Sequence, residues 1–151
     1  MVAQLTYSET PAIGYNGMLA EQFSLRQVDS GLVETAAIGL GVAVVAGTAD
    51  GQYVAAAADD AVLGIAIYEG ASETAKDGTF EYDVKDSFPV LSKGRYYATA
   101  NAAVAIDAAI AYDPATGKVG AVSGGVTTLA FGKAITSSAA DGDLIIVEVD
   151  F

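Results

Sequence analysis

Short runs of Val and Ile, broken by Gly or Asp-Gly, recur along the whole chain. The breaks fall about every eight to twelve residues, which is the spacing of strands and turns in all-β domains. In the last run, Ile145, Val147 and Val149 share one face of an extended strand, and Glu148 and Asp150 share the other. No segment sustains a helical apolar stripe over three turns. The pattern therefore predicts an all-β fold, a small antiparallel β-barrel or sandwich with very little helix.

Eleven strands are predicted between the breaks. They are Phe23–Val28, Val42–Ala46, Tyr53–Ala56, Val62–Tyr68, Phe80–Val84, Phe88–Leu91, Arg95–Thr99, Ala109–Tyr112, Lys118–Val122, Thr127–Ile135 and Leu144–Val149. Asp or Asn followed by Gly suits a tight hairpin turn. Turns are accordingly predicted at Asp50-Gly51, Asp77-Gly78, Thr116-Gly117, Gly124-Gly125 and Asp141-Gly142.

Residues 1–22 differ from the rest of the chain. As a whole, this segment shows neither strand alternation nor a helical stripe, yet it contains Tyr7 and Tyr15. Disordered tails are poor in aromatic residues. The sequence therefore predicts an extended N-terminal arm over residues 1–22, lying in a groove, followed by a single β domain over residues 23–151.

Two stretches of the β domain, residues 36–68 and 102–136, resemble each other. Gly41 aligns with Asp107 at an offset of 66 residues, and after two extra residues Gly64 aligns with Gly132. The repeated unit would be a strand, a tight turn, a strand, a loop and a longer strand opened by Gly. An internal duplication explains the match, and so does the shared Ala, Gly and Val content.

The composition favours an oligomer. Hydrophobic residues make up 52% of the 151 residues and charged residues only 17%, against roughly 25% charged in an ordinary soluble domain. Stable subunit interfaces are apolar and depleted in charge. We therefore expect part of the surface to be covered by other subunits, the alternative being a monomer with an Ala-rich surface.

The chain lacks the side chains on which most enzyme mechanisms depend. It has no Cys and no His, which excludes thiolate nucleophiles, imidazole bases and the Cys- and His-ligated metal sites. The glycines do not form a dinucleotide fingerprint or a P-loop. Asp59-Asp60 and Asp141-Gly142-Asp143 are interpreted as solvated turn residues, with a weak surface calcium site as the alternative. No catalytic, cofactor-binding or metal-ligating residue is predicted, and no cofactor.

Charge and hydropathy exclude two classes of partner. The net charge is −12, whereas binding a phosphate backbone requires a basic stripe, so no nucleic acid is expected. The longest uncharged apolar stretch, residues 36–47, is far shorter than the roughly 20 residues of a spanning helix, so no membrane is expected. The N-terminus has no signal-peptide pattern, and we expect a soluble protein made in the cytoplasm.

One basic and aromatic cluster, Lys93-Gly94-Arg95-Tyr96-Tyr97, stands out in the sequence. Such a cluster suits contact with an anion or a carbohydrate. The alternative, which we favour, is a strand whose charges pair with acidic residues of a neighbouring subunit.

The order of these motifs resembles that of the capsid cement (decoration) proteins of tailed bacteriophages, over nearly the whole chain. One departure is Ile106-Asp107-Ala108, where the family more often has a Gly-Asp turn. The segments that carry the resemblance are Pro11–Glu21, Gly41–Val45 with Gly47–Asp50, Asp60–Ala66, Val90–Arg95, Tyr112–Lys118 and Val147–Val149.

The resemblance implies a small β domain that trimerises and cements the outside of an assembled capsid in the virion. Its partners would be the major capsid protein and further copies of itself, and it would be made in the host cytoplasm. The candidate capsid-contact or subunit-contact residues are Tyr7, Pro11, Ile13, Gly14, Tyr15, Gly17, Met18, Arg95 and Tyr96.

Two other functions stay open at this point. A bacterial surface or fimbria-like structural protein would also be rich in β-structure, but it should carry an export signal. A carboxylate-based hydrolase on a β scaffold would need two carboxylates roughly 5–10 Å apart on one concave face.

Overall fold

The computed structural model describes residues 14–20, 26–57, 60–68, 81–122 and 129–151. These residues contain strands and no helix, which confirms the predicted all-β class. The strands are β1 Gln27–Val33, β2 Ile38–Gly39, β3 Ala43–Ala46, β4 Gln52–Ala55, β5 Gly64–Ala66, β6 Glu81–Tyr82, β7 Ser87–Thr99, β8 Ala109–Asp113, β9 Lys118–Ala121, β10 Leu129–Ala134 and β11 Leu144–Asp150.

The first half of the sheet closes into a ring. Strands β1, β4, β3, β5 and β7 follow one another by hydrogen bonding, and β7 pairs back onto β1. All these pairings are antiparallel except that of β1 with β4. We call this closed set of five strands the first ring. The small pair β2–β6 lies beside it.

The second half of the sheet forms another ring, which starts from the same strand. The order continues from β7 through β11, β10 and β8 to β9. A parallel bridge then joins Val119 of β9 to Ala100, directly after β7, and Asn101 N–H donates to Val119 O at 2.8 Å. This second ring is therefore closed on the far end of β7, so that β7 belongs to both rings.

The two rings share the same strand register. The β3–β4 pairs Val44–Ala55 and Ala46–Tyr53 recur 66 residues later as the β8–β9 pairs Ile110–Ala121 and Tyr112–Val119. The β3–β5 pair Val44–Gly64 recurs as Ile110–Gly132. The parallel contact also recurs, as Val33–Tyr53 in the first ring and Ala100–Val119 in the second. Equivalent positions therefore have equivalent neighbours.

The turns at the ends of the rings match as well. Lys85 and Gly142 both have a positive φ, of 73° and 91°. Lys85 N–H donates to Val33 O, and Gly142 N–H donates to Ala100 O, each at 2.8 Å. The following residues, Asp86 and Asp143, both accept a backbone N–H from three residues earlier, at 2.9 Å. Each carboxylate therefore caps its own turn.

Long β7 holds the rings together because its two halves pack into different hydrophobic clusters. Phe88 and Val90 are buried before Gly94, and Tyr96 and Ala98 after it. Gly94 has a φ of +138°, a region that L side chains rarely adopt. The main core runs through both rings; its members include Ala43, Ile65, Leu91, Tyr96, Tyr112, Ile145, Val147 and Val149.

The short strand β2 was not predicted, and β5 and β6 are shorter than predicted. The predicted strands differ most from the structure at two other places. Phe23–Val28 was predicted, but the strand runs from Gln27 to Val33 and thus includes Asp29 and Ser30. Two strands, Phe88–Leu91 and Arg95–Thr99, were predicted where the structure has one continuous strand. In both places the pairing with distant strands outweighs the local turn signal.

Candidate functional site

The last part of the predicted arm lies along the edge of β7 as an added strand. Gly17 N–H donates to Tyr97 O at 2.8 Å, and Tyr97 N–H donates to Met18 O at 2.8 Å. Ala20 N–H donates to Arg95 O at 3.0 Å. On its other side the segment meets the end of the first ring, where Tyr68 N–H donates to Gly17 O at 3.1 Å. Residues 14–20 therefore lie at the junction of the two rings; we call them the junction segment.

Asn16 connects the rings through its side chain. Its Nδ2 donates at 2.7 Å to Leu40 O, in the turn that leads into β3 of the first ring. Its Oδ1 accepts from Thr99 N–H, in the β7 half that belongs to the second ring, at 3.3 Å. Both contacts are partly buried, so neither group relies on water alone.

The two glycines of the junction segment permit close approach. A Cβ on Gly14 would lie 2.6 Å from the Tyr97 ring, and a Cβ on Gly17 would lie 2.7 Å from Gly41 N. Gly17 also has a φ of +80°. Both residues are buried, so they seat the segment on the domain and do not present a surface to a partner.

Tyr15 is the exposed residue of this segment. Its side chain is 44% exposed, and its ring meets the ring of Tyr68 edge-on at a centroid distance of 5.9 Å. Partial burial and the neighbouring Tyr68 raise the pKa of Tyr15 above its ordinary value. Met18 is half-buried and bridges to Tyr68. Tyr15 can therefore contact a partner without leaving the junction.

Arg95 lies in a ladder of opposite charges across β7, β11 and β10. Its Nε is 2.8 Å from Glu148 Oε2, and Lys133 Nζ is 3.7 Å from Glu148 Oε1. Two residues further along the same pair of strands, Lys93 Nζ lies 2.7 Å from Asp150 Oδ2. The hydrogen bond from Arg95 is the main reason that the pKa of Glu148 is lowered. The cations of the basic cluster thus pair with acidic residues of their own chain, and pairing with a neighbouring subunit stays a prediction.

The expectation that Tyr96 is a contact residue is wrong for the described chain. Its side chain is 0% exposed, because alternation along β7 turns Tyr96 into the core and Tyr97 outward. Its hydroxyl has no hydrogen-bond partner among the described residues. Burial, together with the nearby Tyr112 phenol, raises the pKa of Tyr96 far above its ordinary value.

Tyr7, Pro11 and Ile13 lie outside the described residues, so nothing is assigned to them. Sequence analysis missed the residues that hold the junction segment in place, Asn16 and Tyr97. A signal for Asn16 existed: a lone amide between two glycines, in a segment otherwise without pattern, is a residue suited to bond a neighbouring backbone.

The carboxylates that the sequence analysis singled out act in turns and in an ion pair where the structure describes them. Asp143 accepts the backbone N–H groups of Ala139 and Ala140, each at 2.9 Å, and Asp141 pairs with Lys118 at 2.6 Å. Asp60 accepts from Ala57 N–H at 2.7 Å. Across residues 14–20, 26–57, 60–68, 81–122 and 129–151, no three Asp or Glu side chains come together as a metal site would require.

A shallow hollow of about 280 Å³ lies beside β1. A single carboxylate lines it, so it does not have the paired acids of a glycoside hydrolase. Its lining residues are Val28, Asp29, Ser30, Tyr82, Ser87, Phe88 and Pro89.

Within the part of the chain that the structure describes, no helix has the length and apolar character needed to cross a membrane.

Comparison with known proteins places the chain among phage proteins. Its fold is similar to that of the head fibre gp8.5 N base of bacteriophage phi29, with a TM-score of 0.55 and 12% identity, covering 83% of this chain and 95% of that one. No curated protein matches the sequence. Residues 3–150 match the model of the structural cement protein family that includes E217 gp24 and Pam3 gp6. Because that match spans almost the whole chain, the protein belongs to the structural cement protein family and is a structural protein of the phage capsid.

Proposed function

We propose that the protein binds the outside of an assembled phage capsid as a homotrimer, through the major capsid protein, and cements the shell. The family match over residues 3–150 is the observation that carries this proposal. The charge of −12 is consistent with an exterior position, because an acidic protein is repelled by the packaged DNA. We further propose that the protein is made in the host cytoplasm and then docks on the shell.

Cementing is a physical task that needs no catalytic group. A protein that binds the assembled shell and not its separate subunits stabilises the shell by mass action, by about 2.7 kcal/mol per site at a hundred times Kd. Three linked protomers on neighbouring capsid subunits add avidity without new kinds of contact. We therefore propose that the protein has no enzymatic activity.

The exposed apolar side chains support an oligomer. Ile106 is 61% exposed, Val122 47% and Leu63 46%. Subunit contacts that cover such side chains remove apolar area from water, at about 25 cal/mol per Å². Single exposed apolar residues are ordinary on a protein surface. The proposal of a trimer therefore rests also on the low content of charged residues in the chain.

The N-terminal arm is the proposed contact with the shell or with another subunit. The junction segment anchors it to the domain, since Gly14, Asn16 and Gly17 are fixed between the rings. We propose that Tyr7, Pro11 and Ile13 ahead of this anchor, together with the exposed Tyr15, make the contact. Arg95 lies next to the junction segment, since its carbonyl accepts from Ala20 N–H at 3.0 Å, and we propose that its side chain borders this surface.

Co-sedimentation with capsid shells tests the proposal. Purified protein is mixed with assembled shells made without it and, in parallel, with unassembled capsid subunits. We expect saturable binding to shells and at least tenfold weaker binding to subunits. Equal affinity for both, or no binding to shells by a folded protein, would overturn the cementing function.

The arm is tested separately with a deletion of residues 1–13, which leaves the junction segment in place. Loss of shell binding would assign the contact to the arm. Asp50→Ala is the control for a general effect of surface change, because Asp50 is exposed in the turn between β3 and β4 and lies outside the arm. Unchanged binding and an unchanged oligomeric state of the deletion variant would remove the arm from the proposal.

A further inference from the structure

Along part of its length, one edge of β1 has no strand partner among the described residues. Pro89, opposite Ser30 in β7, has no N–H, and its carbonyl accepts from Ile67 N–H at 3.2 Å, so the backbone polar groups of Pro89 face away from β1. In an antiparallel pair of this kind, the N–H and C=O of Ser30 point to the other side. There β4 pairs with β1 at Leu32 and Val33. No described strand pairs with that edge from Val28 to Gly31.

The equivalent edge in the second ring is filled. By register, Ser30 of β1 corresponds to Tyr97 of β7. Ser30 pairs with Pro89 in the first ring, and Tyr97 pairs with Ile146 at the equivalent position of the second ring. Tyr97 N–H and C=O bond to the junction segment, and Arg95 O, which corresponds to Val28 O, does so too. The same backbone edge therefore accepts an extended strand at one of its two occurrences in this chain.

The open edge also borders space for a side chain. The hollow of about 280 Å³ next to β1 is lined by the apolar residues Val28, Phe88 and Pro89, and also by Tyr82. Peptides that add to a sheet edge bind through main-chain hydrogen bonds, and alternate side chains enter neighbouring pockets. An added strand with apolar residues at every second position would suit this site.

Residues 3–8 of the chain have that pattern. Ala3, Leu5 and Tyr7 alternate with Gln4, Thr6 and Ser8. The six residues contain no charge, no Pro and no Gly, in a protein with a net charge of −12. An uncharged strand does not repel Asp29, which lines the hollow.

We propose that residues 3–8 of one copy add as a strand to the β1 edge of a second copy and so link the subunits. Each copy has one such segment and one such edge, and the two surfaces are unlike. A contact between unlike surfaces closes into a ring when its rotation permits, which includes the trimer. The inference does not depend on shell binding and is tested without shells.

The test uses one variant for each half of the contact, with sedimentation as the measurement. Ser30→Pro removes the outward N–H of the edge, and Pro is tolerated at an edge strand. Ser30→Ala is its control, because it removes only the hydroxyl, which bonds Ser87 at 3.0 Å. The deletion of residues 1–8 removes the strand. We expect an oligomer for the wild type and for Ser30→Ala, and 15.2 kDa monomers for the other two variants.

Mixing the two defective variants gives the decisive result. Ser30→Pro still carries the strand, and the deletion variant still carries the edge. We expect a heterodimer with one molecule of each and nothing larger. Heterodimer formation also shows that both variants are folded. A monomeric wild type, an oligomeric Ser30→Pro, or two variants that stay monomeric when mixed would overturn the proposal.

Discussion

Gly41 and Asp107 occupy the same place in the two rings, and both have a positive φ, of 76° and 61°. Gly41 N–H donates to Ala66 O at 2.7 Å, and Asp107 N–H donates to Ala134 O at 2.8 Å. The same left-handed turn is therefore made once by glycine and once by aspartate. Only the glycine lies beneath the junction segment, where a Cβ would meet the side chain of Asn16.

This difference predicts unequal effects of the same substitution. Asp107→Ala should cost about 1 kcal/mol of unfolding free energy, because Ala tolerates the left-handed region less well than Asp. Gly41→Ala should cost at least about 1 kcal/mol more, since it adds both backbone strain and the clash with Asn16. Asp107→Gly should be neutral or up to about 1 kcal/mol more stable. Urea unfolding measures all three. Equal losses for the two Ala variants would mean that Asn16 does not hold the segment in place.

The buried Tyr96 hydroxyl provides a second comparison. Tyr96→Phe should leave the stability unchanged or raise it slightly, because the hydroxyl is buried without a hydrogen-bond partner among the described residues. Tyr82→Phe is the matched control: its buried hydroxyl donates to Ile67 O at 2.8 Å, and its loss should cost about 1 kcal/mol. Thermal unfolding of both variants checks this. A clear loss in Tyr96→Phe would reveal a partner for that hydroxyl.

Alkaline pH should unfold the protein. Burial raises the pKa of Tyr96 and Tyr112, so the folded state keeps both phenols neutral where the unfolded state ionises them. The stability from these groups is complete below about pH 10 and is lost as the pH rises further. The ultraviolet absorbance of tyrosinate should show part of the eight tyrosines titrating only with unfolding. Tyr96→Phe should move the alkaline transition to higher pH, and an unchanged transition would contradict the assignment.

The charge ladder should be visible in the titration of Glu148. Its pKa is lowered, first by the hydrogen bond from Arg95, so its contribution is present above the ordinary carboxyl pKa and lost as the pH falls through the lowered value. Arg95→Gln should raise the pKa of Glu148 in an NMR titration, and Lys133→Gln should raise it less, because Lys133 lies 3.7 Å away. The effect on stability should be small, since these side chains are about one third to one half exposed. An equal shift in both variants would contradict the dominant role of Arg95.

The sequence predicts inward and outward residues best where a strand has one buried face and one solvent-exposed face. The alternation in β11 identified Ile145, Val147 and Val149 as inward residues, and all three are at most 1% exposed. The same alternation did not identify β1, because the sequence Asp29, Ser30 and Gly31 resembles a turn. That strand is half exposed, so its polar residues contact water while its backbone pairs with β7.

The candidate site was less accessible to sequence reasoning because its contacts are distant in sequence. Asn16 bonds Leu40 and Thr99, which lie 24 and 83 residues away. Tyr96 and Tyr97 are adjacent and similar, and the local sequence does not distinguish them; the pairing of β7 with β11 accompanies the burial of Tyr96. The strand register that relates the two rings likewise depends on pairings that no local pattern contains.

The central claim is that the protein stabilises an assembled shell, and calorimetry of the shell measures this directly. Shells assembled without the protein are heated alone and with the protein at about a hundred times its Kd. We expect the temperature of shell disruption to rise, as about 2.7 kcal/mol per occupied site requires, while the unfolding of free capsid subunits stays unchanged. A shell that is saturated with the protein and still disrupts at the same temperature would contradict the claim.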